Sequence, residues 1–340
     1  MRILVTGATG VVGSEVMRLG RDLPDCEVMG VSTRGSADQD VFAWNLRREP
    51  PSDFPVEWDV VVNAAASTRW SMTTREAWDA NVGTVEGLSA VLGTETRLVQ
   101  VSTVYAAGLR GDGLSTDICD YRNSYEWSKA LSEHATLRLK SNATIIRLPL
   151  VIGRRQDGGV SRFSGLFTLL RSLLSGVMPA VVAEPNGLLD LVPVDDVAAC
   201  VLEQCFAPLG DARQIVLGAG PRAPTVTTVM DAVYGALNTW RECHLVEHLR
   251  RVPLISPERW ERFYRPFIDD CLPPTYRRAV EALEQFQPYM SILQPLPVTQ
   301  HVFDVSDALL RSVGFWADHH QRLAAASPRP WRVIRVEESA

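Results

Sequence analysis

Residues 2–13 read Arg2-Ile3-Leu4-Val5-Thr6-Gly7-Ala8-Thr9-Gly10-Val11-Val12-Gly13. Arg2–Val5 is a short aliphatic run, bounded by a polar residue and glycine, as a buried strand would be. Valines after Gly10 open a helical pattern that runs to Arg21. Glycines stand at 7, 10 and 13, a spacing that differs from G-x-G-x-x-G, yet the physics is shared. Missing side chains permit a tight turn, let a pyrophosphate meet backbone N–H groups at a helix start, and let helix and strand pack closely. The strand–turn–helix context makes Gly7, Thr9, Gly10, Val11, Val12 and Gly13 the expected cradle of a dinucleotide.

The same rhythm continues outward from this turn. Strands are expected at Glu27–Val31, Val60–Asn63, Leu98–Ser102 and Thr144–Leu148, with helices over Val11–Arg21, Thr74–Leu92 and Tyr125–Lys140. Alternation of apolar strands with helices predicts an α/β fold, a doubly wound Rossmann-type parallel sheet covered on both faces. Past Gly153 the pattern changes to a loop over 154–159 and a helix over Phe163–Leu174. Next come a strand end at Pro193 with an Asp-capped helix Val197–Cys205, a strand at Ile215–Leu217 and a helix over Val226–Thr239. Helical pieces follow near 257–264 and 275–287. The expected division is 1–155 plus about 188–220 for the nucleotide domain. A smaller, mainly helical C-terminal substrate lobe takes about 156–187 and 221–330, and 331–340 form a tail.

Composition narrows the partners. The 340 residues carry 34 basic and 40 acidic side chains, a net charge of −6, so no basic field exists to hold nucleic acid or an anionic membrane. The most apolar stretch, Phe167–Ala183, contains Arg171 and Pro179 and is too interrupted to span a bilayer. With a first strand starting at Met1-Arg2-Ile3 there is no room for a signal peptide, and a cytoplasmic location is expected. The six cysteines (26, 119, 200, 205, 243, 271) show neither disulfide nor metal-ligand spacing, which predicts buried reduced thiols and no metal site. His319-His320 lacks a third ligand and reads as surface.

One count sharpens the search for chemistry. Of the 34 basic residues only Lys129 and Lys140 are lysine; the rest are arginine. In Asn123-Ser124-Tyr125-Glu126-Trp127-Ser128-Lys129, Asn123 and Glu126 have capping-box spacing, which places Tyr125 in a first helical turn. Lys129 then shares its face at i+4. An ammonium beside a phenol favours the phenolate and can also hold a ribose hydroxyl, roles for which arginine's planar fork is unsuited. Leu98–Thr103 is a strand ending in hydroxyls, and one of them can donate to a substrate oxygen beside that phenol. The tip of the second strand, Val31-Ser32-Thr33-Arg34, has no carboxylate for a ribose 2′-hydroxyl but offers hydroxyls and a guanidinium suited to a 2′-phosphate. NADP (NADPH) is the expected cofactor, with a solvated Arg34 as the alternative reading.

Together these features resemble the extended short-chain dehydrogenase/reductase superfamily from Met1 to about Gly220. The resemblance implies a catalytic set of Thr103, Tyr125 and Lys129, with Ser102 as the substitute for Thr103. It implies cofactor contacts at Gly7, Gly10, Val12 and Gly13, then Thr33 and Arg34, the Ala64-Ala65-Ala66 run, Lys129, and Pro149 after the Arg147-Leu148 strand end. The family's adenine-side Asp-Leu pair stands here as Asn45-Leu46, and Asn81 matches a structural helix position. Asn63-Ala64-Ala65-Ala66-Ser67-Thr68-Arg69-Trp70, Val101–Gly108 and Leu191–Asp196 are most similar to the thioester reductase and fatty acyl-CoA reductase branch.

That branch implies reduction of an acyl thioester, coenzyme A- or carrier-protein-bound, to aldehyde or alcohol. Two alternatives keep the catalytic set: a ketone or alcohol oxidoreductase, and a nucleotide-sugar epimerase or dehydratase. A non-catalytic NADP-binding module is the remaining one. Partners are then a small-molecule or carrier-bound acyl substrate, with a homodimer open. Arginines at 250, 251, 259, 262, 265, 277 and 278 offer a docking face, but nearby acids nearly balance them, as on a solvated face.

Overall fold

The computed structural model describes residues 1–36, 40–176, 180–208, 210–274, 277, 280–281 and 284–328. Its main sheet is built from Arg2–Thr6 (β1), Glu27–Ser32 (β2), Val41–Ala43 (β3), Val60–Asn63 (β4), Arg97–Thr103 (β5) and Thr144–Leu148 (β6). Two later strands join it, Arg213–Gly218 (β7) and Gln300–His301 (β8). The order is β8-β7-β6-β5-β4-β1-β2-β3, and every pairing is parallel. The direction of winding reverses between β1 and β4, which opens a crevice beyond their carboxyl ends.

Apolar residues on both pleats explain why the strands read as continuous hydrophobic runs. Ile3 and Val5 enter one core cluster and Leu4 the other; Val60 and Val62 likewise face away from Val61. On one face lie Val11–Gly20 (α1) and Val194–Phe206 (α5), in contact with each other. The helical stretch 74–90 and Ser124–Leu139 (α4) also pack together. Leu88 and Val91, from that stretch and just beyond it, enter the cluster that holds Leu4.

Several expectations are corrected. The 74–92 helix is broken into Thr74–Ala77 (α2), a π-helical turn at Trp78–Val82, Gly83–Glu86 (α3) and a 3₁₀ turn at Gly87–Ala90. Helix α5 starts at Val194 with Pro193 as its N-cap and no side-chain cap; Asp195 and Asp196 sit in its first turn, where they bind Arg155 instead. The lobe boundary at 221 does not hold for the sheet, because Gln300–His301 completes its edge. Trp316 and Val313 from the helix Ser306–His319, and Leu237 from the helix Val226–Cys243, enter the same core as Ile3.

A satellite cluster of Ala180, Val182, Ile255, Trp260, Ile268 and Val280 forms the separate part of the C-terminal region. The 257–264 piece is a short α-helix, Pro257–Arg259, followed by a π-helical turn, Trp260–Tyr264. Much of the 275–287 piece, Pro179 and the 331–340 tail lie outside the described residues. Among the described residues no helix is long and apolar enough to cross a membrane, and no group of His, Cys, Asp and Glu could hold a metal ion. Cys200 and Cys205 are buried thiols, but Cys119 and Cys243 are exposed, contrary to expectation.

Candidate active site

Gly7 follows β1 with φ +67°, a left-handed conformation, and a Cβ on it would lie 2.6 Å from the Ala64 carbonyl oxygen. A Cβ on Gly13 would lie 2.3 Å from the Gly7 carbonyl oxygen, so α1 packs against the turn with no room for a methyl group. Gly10 caps α1 without a side-chain hydrogen bond, which leaves the first amides of the helix to a ligand.

The crevice at the winding reversal holds a cleft of about 810 Å³. Gly7, Thr9, Gly10, Thr33, Arg34, Asn45, Leu46 and the Ala64–Ala66 run all line it. Val11, Val12, Gly13, Lys129 and Pro149 are not in its lining; Gly13 serves it through packing. Arg47, Arg69 and Arg162 also line the cleft and were not singled out in the sequence, where arginine is too common to be a signal.

The wall formed by Ala64–Ser67 is held from outside the cleft. Asn81, 1% exposed in the π-helical turn, accepts from the Ser67 amide at 2.7 Å. Its Nδ2 donates to the Ser67 carbonyl at 3.2 Å and to Ser128 Oγ at 2.8 Å. One amide thus ties the loop after β4 to the helix that carries Tyr125 and Lys129. The local break in helix 74–90 belongs with this contact, since π-turns re-aim single side chains.

Thr103 ends β5, and Tyr125 is in the first turn of α4. Asn123 caps the helix by accepting from the Glu126 amide at 3.0 Å. The reciprocal half of the expected capping box is absent, because the Glu126 carboxylate accepts instead from the Arg122 amide at 3.1 Å and the Tyr289 hydroxyl at 2.5 Å. Tyr289 also accepts from Asn123 Nδ2 at 2.7 Å and stacks on Trp70 at 4.7 Å between ring centroids. A residue of the C-terminal region therefore clamps the helix start, a contact no local pattern announced.

Burial pushes the Tyr125 phenol up to about 12, opposed by the neighbouring Thr103 hydroxyl. Burial also pulls the Lys129 ammonium down to about 8, with Glu133 acting the other way. Lys129 Nζ donates to the Val101 carbonyl at 2.8 Å. The expectation that Lys129 makes this phenol more acidic is thus not met: desolvation outweighs it, and the group that lowers the phenol is Thr103. Ser102, expected as a stand-in for Thr103, donates to Glu133 at 2.5 Å, and Glu133 pairs with Arg147 at 2.7 Å. Ser102 is thus occupied by Glu133, two turns along α4 from Tyr125.

Residues 52–201 match a family model described as "Male sterility protein". No curated protein matches the sequence. Among solved structures, the chain is similar to the terminal R domain from the myxalamid PKS-NRPS biosynthetic pathway, at 17% identity and TM-score 0.65, covering 96% of this chain and 92% of that one. A thiolation-reductase di-domain from an archaeal non-ribosomal peptide synthetase follows at 15% identity and TM-score 0.66, covering 95% and 76%. The UDP-glucuronic acid 4-epimerase from Bacillus cereus in complex with NAD gives 15% identity and TM-score 0.60, covering 94% and 100%. At these identities the structures establish a shared fold. The family match covers residues 52–201 only, so that stretch resembles the family's model, while the fold of the whole chain is shared with reductase domains and a nucleotide-sugar epimerase.

Proposed function

We propose that the protein is an NADPH-dependent reductase that acts on a carbonyl, with an acyl thioester bound to coenzyme A or a carrier protein as the favoured substrate. The observation that carries this reading is the Thr103 hydroxyl beside the buried Tyr125 phenol, with Lys129 one turn further along the same helix. The residues around the cleft fit a dinucleotide: a glycine turn without side chains, uncapped helix amides, and small Ala64–Ala66 opposite. Thr33 and Arg34, with no carboxylate at the tip of β2, support NADPH over NADH.

When bound, the cofactor supplies a hydride to the carbonyl carbon. The chain supplies the matching proton. A phenol held near 12 is fully protonated at neutral pH, so Tyr125 stands ready to donate to the oxygen on which charge develops. The Thr103 hydroxyl polarises the same oxygen and steadies the phenol. Lys129, whose ammonium donates to the Val101 carbonyl, is set to take a ribose hydroxyl and return positive charge to the phenolate. The acyl group would lie beside Tyr125, walled by Trp70, Tyr105 and Tyr289.

The test is NADPH oxidation with a panel of acyl-CoA, carrier-bound acyl, ketone and nucleotide-sugar substrates. Turnover on a thioester is expected, with Tyr125→Phe binding NADPH unchanged and losing turnover by at least 100-fold. Turnover confined to ketones or sugar nucleotides would replace the substrate assignment, and full activity of Tyr125→Phe would remove the catalytic one.

A further inference from the structure

Four arginines line the cleft: Arg34, Arg47, Arg69 and Arg162. Two are near acids on the same walls, Arg47 with Asp79 at 3.5 Å and Arg69 beside Glu76. Arg34 and Arg162 are exposed cations with no hydrogen bond or ion pair among the described residues. Arg34 follows β2, where the adenosine ribose of a dinucleotide lies in this fold. Arg162 comes from a loop some 130 residues later and has so far been given no role.

That loop is fixed on both sides of Arg162. On the N-terminal side, Arg154 closes the turn by donating its amide to the Gly159 carbonyl at 3.0 Å. Its guanidinium pairs with Asp157 at 2.7 Å and with Glu15 of α1 at 3.4 Å. The preceding residue, Ser161, donates its hydroxyl to the carbonyl of Gly10, the glycine that caps α1, at 3.2 Å. On the C-terminal side the Phe163 ring packs edge-on against Phe167 at 5.2 Å and His320 at 4.9 Å. The backbone of Arg162 is therefore anchored to the glycine turn itself, while its side chain borders the cleft.

We infer that Arg162 is a cofactor-binding residue that holds the pyrophosphate of the dinucleotide from the side opposite the helix amides. The inference rests on the dinucleotide reading of the cleft and adds a residue to it. A guanidinium delivered to the mouth of the glycine turn, with no acid to neutralise it, faces the part of the ligand that carries two negative charges. Its tether at Gly10 places it at the pyrophosphate and away from the tip of β2, so its contribution is common to NADPH and NADH. Arg34 then adds only what a 2′-phosphate requires. A charge-assisted contact of this kind is the stronger class of hydrogen bond.

Equilibrium titration of the full chain separates the two arginines without requiring a substrate. The probes are NADPH and NADH, followed by their own fluorescence, with ADP-ribose and 2′-AMP as displacing ligands. Arg162→Ala is expected to weaken NADPH, NADH and ADP-ribose alike, each by about tenfold, and to leave 2′-AMP unchanged. Arg162→Lys keeps the charge and restores most of the loss. Arg34→Ala gives the complementary pattern, weakening NADPH and 2′-AMP while sparing NADH and ADP-ribose. The assignment is overturned if Arg162→Ala binds NADH and ADP-ribose as tightly as the unaltered chain, or if its loss is confined to 2′-phosphorylated ligands. Absence of any dinucleotide binding by the unaltered chain would instead remove the cofactor reading, and Arg162 with it.

Discussion

Consider Lys129→Met, measured on the chain without cofactor. Lys129 is 2% exposed, and burial holds its ammonium at about 8 against an ordinary value of 10.5. The folded state therefore releases this proton near pH 8 and the unfolded state near pH 10.5. Between those values the unfolded chain binds more protons, so this group makes stability rise with pH across that window and holds it at its lowest below pH 8. The displacement costs roughly 3 kcal/mol at pH 7 and roughly 1 kcal/mol at pH 9.5.

Methionine fills a similar volume without charge. The Val101 carbonyl keeps a second donor, Gln100 Nε2 at 2.9 Å, so the substitution leaves no orphaned acceptor. Urea unfolding followed by tryptophan fluorescence should find the variant more stable than the unaltered chain at pH 7. That gain should shrink by about 2 kcal/mol on going to pH 9.5. The difference between the two pH values is insensitive to any packing change, which would act equally at both. A gain that is flat across pH 7–9.5, or one that grows with pH, would refute the claim that the ammonium is buried at a cost. The expected result would show a site holding charge against its own stability, as catalytic sites commonly do.

Two further outcomes follow from the packing. Gly13→Ala should lower dinucleotide affinity by more than tenfold and destabilise by about 1–3 kcal/mol, because its Cβ meets the backbone of Gly7. Gly20→Ala at the far end of α1, facing only Val28 side-chain atoms at 3.2 Å, should leave dinucleotide affinity unchanged; paired thermal melts and NADPH titrations read both. Arg147→Met should destabilise by about 3 kcal/mol in urea unfolding, since it removes the guanidinium paired with the buried Glu133 carboxylate and leaves it the Ser102 hydroxyl and the charge of Lys129.

The first 150 residues were legible because their signals are local. A strand buried on both faces must be apolar throughout, and a turn that brings backbone against backbone must lack side chains; β1, β4, β6 and the glycine turn follow from those demands. Lys129 was conspicuous only through the scarcity of lysine in this chain. Tertiary contacts decided what lay beyond such signals. Two residues at 300–301 extend the main sheet, too few to form a pattern of their own. Tyr289 clamps the cap of α4 across 163 residues, and Ser161 ties a late loop to Gly10 across 151.

The electrostatics of the site were decided in the same way. Sequence spacing put an ammonium one helical turn from a phenol and so suggested a more acidic tyrosine. The fold buried both groups, and desolvation, which depends on everything packed around them and on nothing in the spacing, moved the phenol up and the ammonium down. Residue types and their order determined the fold. Closure of distant segments over those residues determined which side chains meet, and how readily each holds its proton.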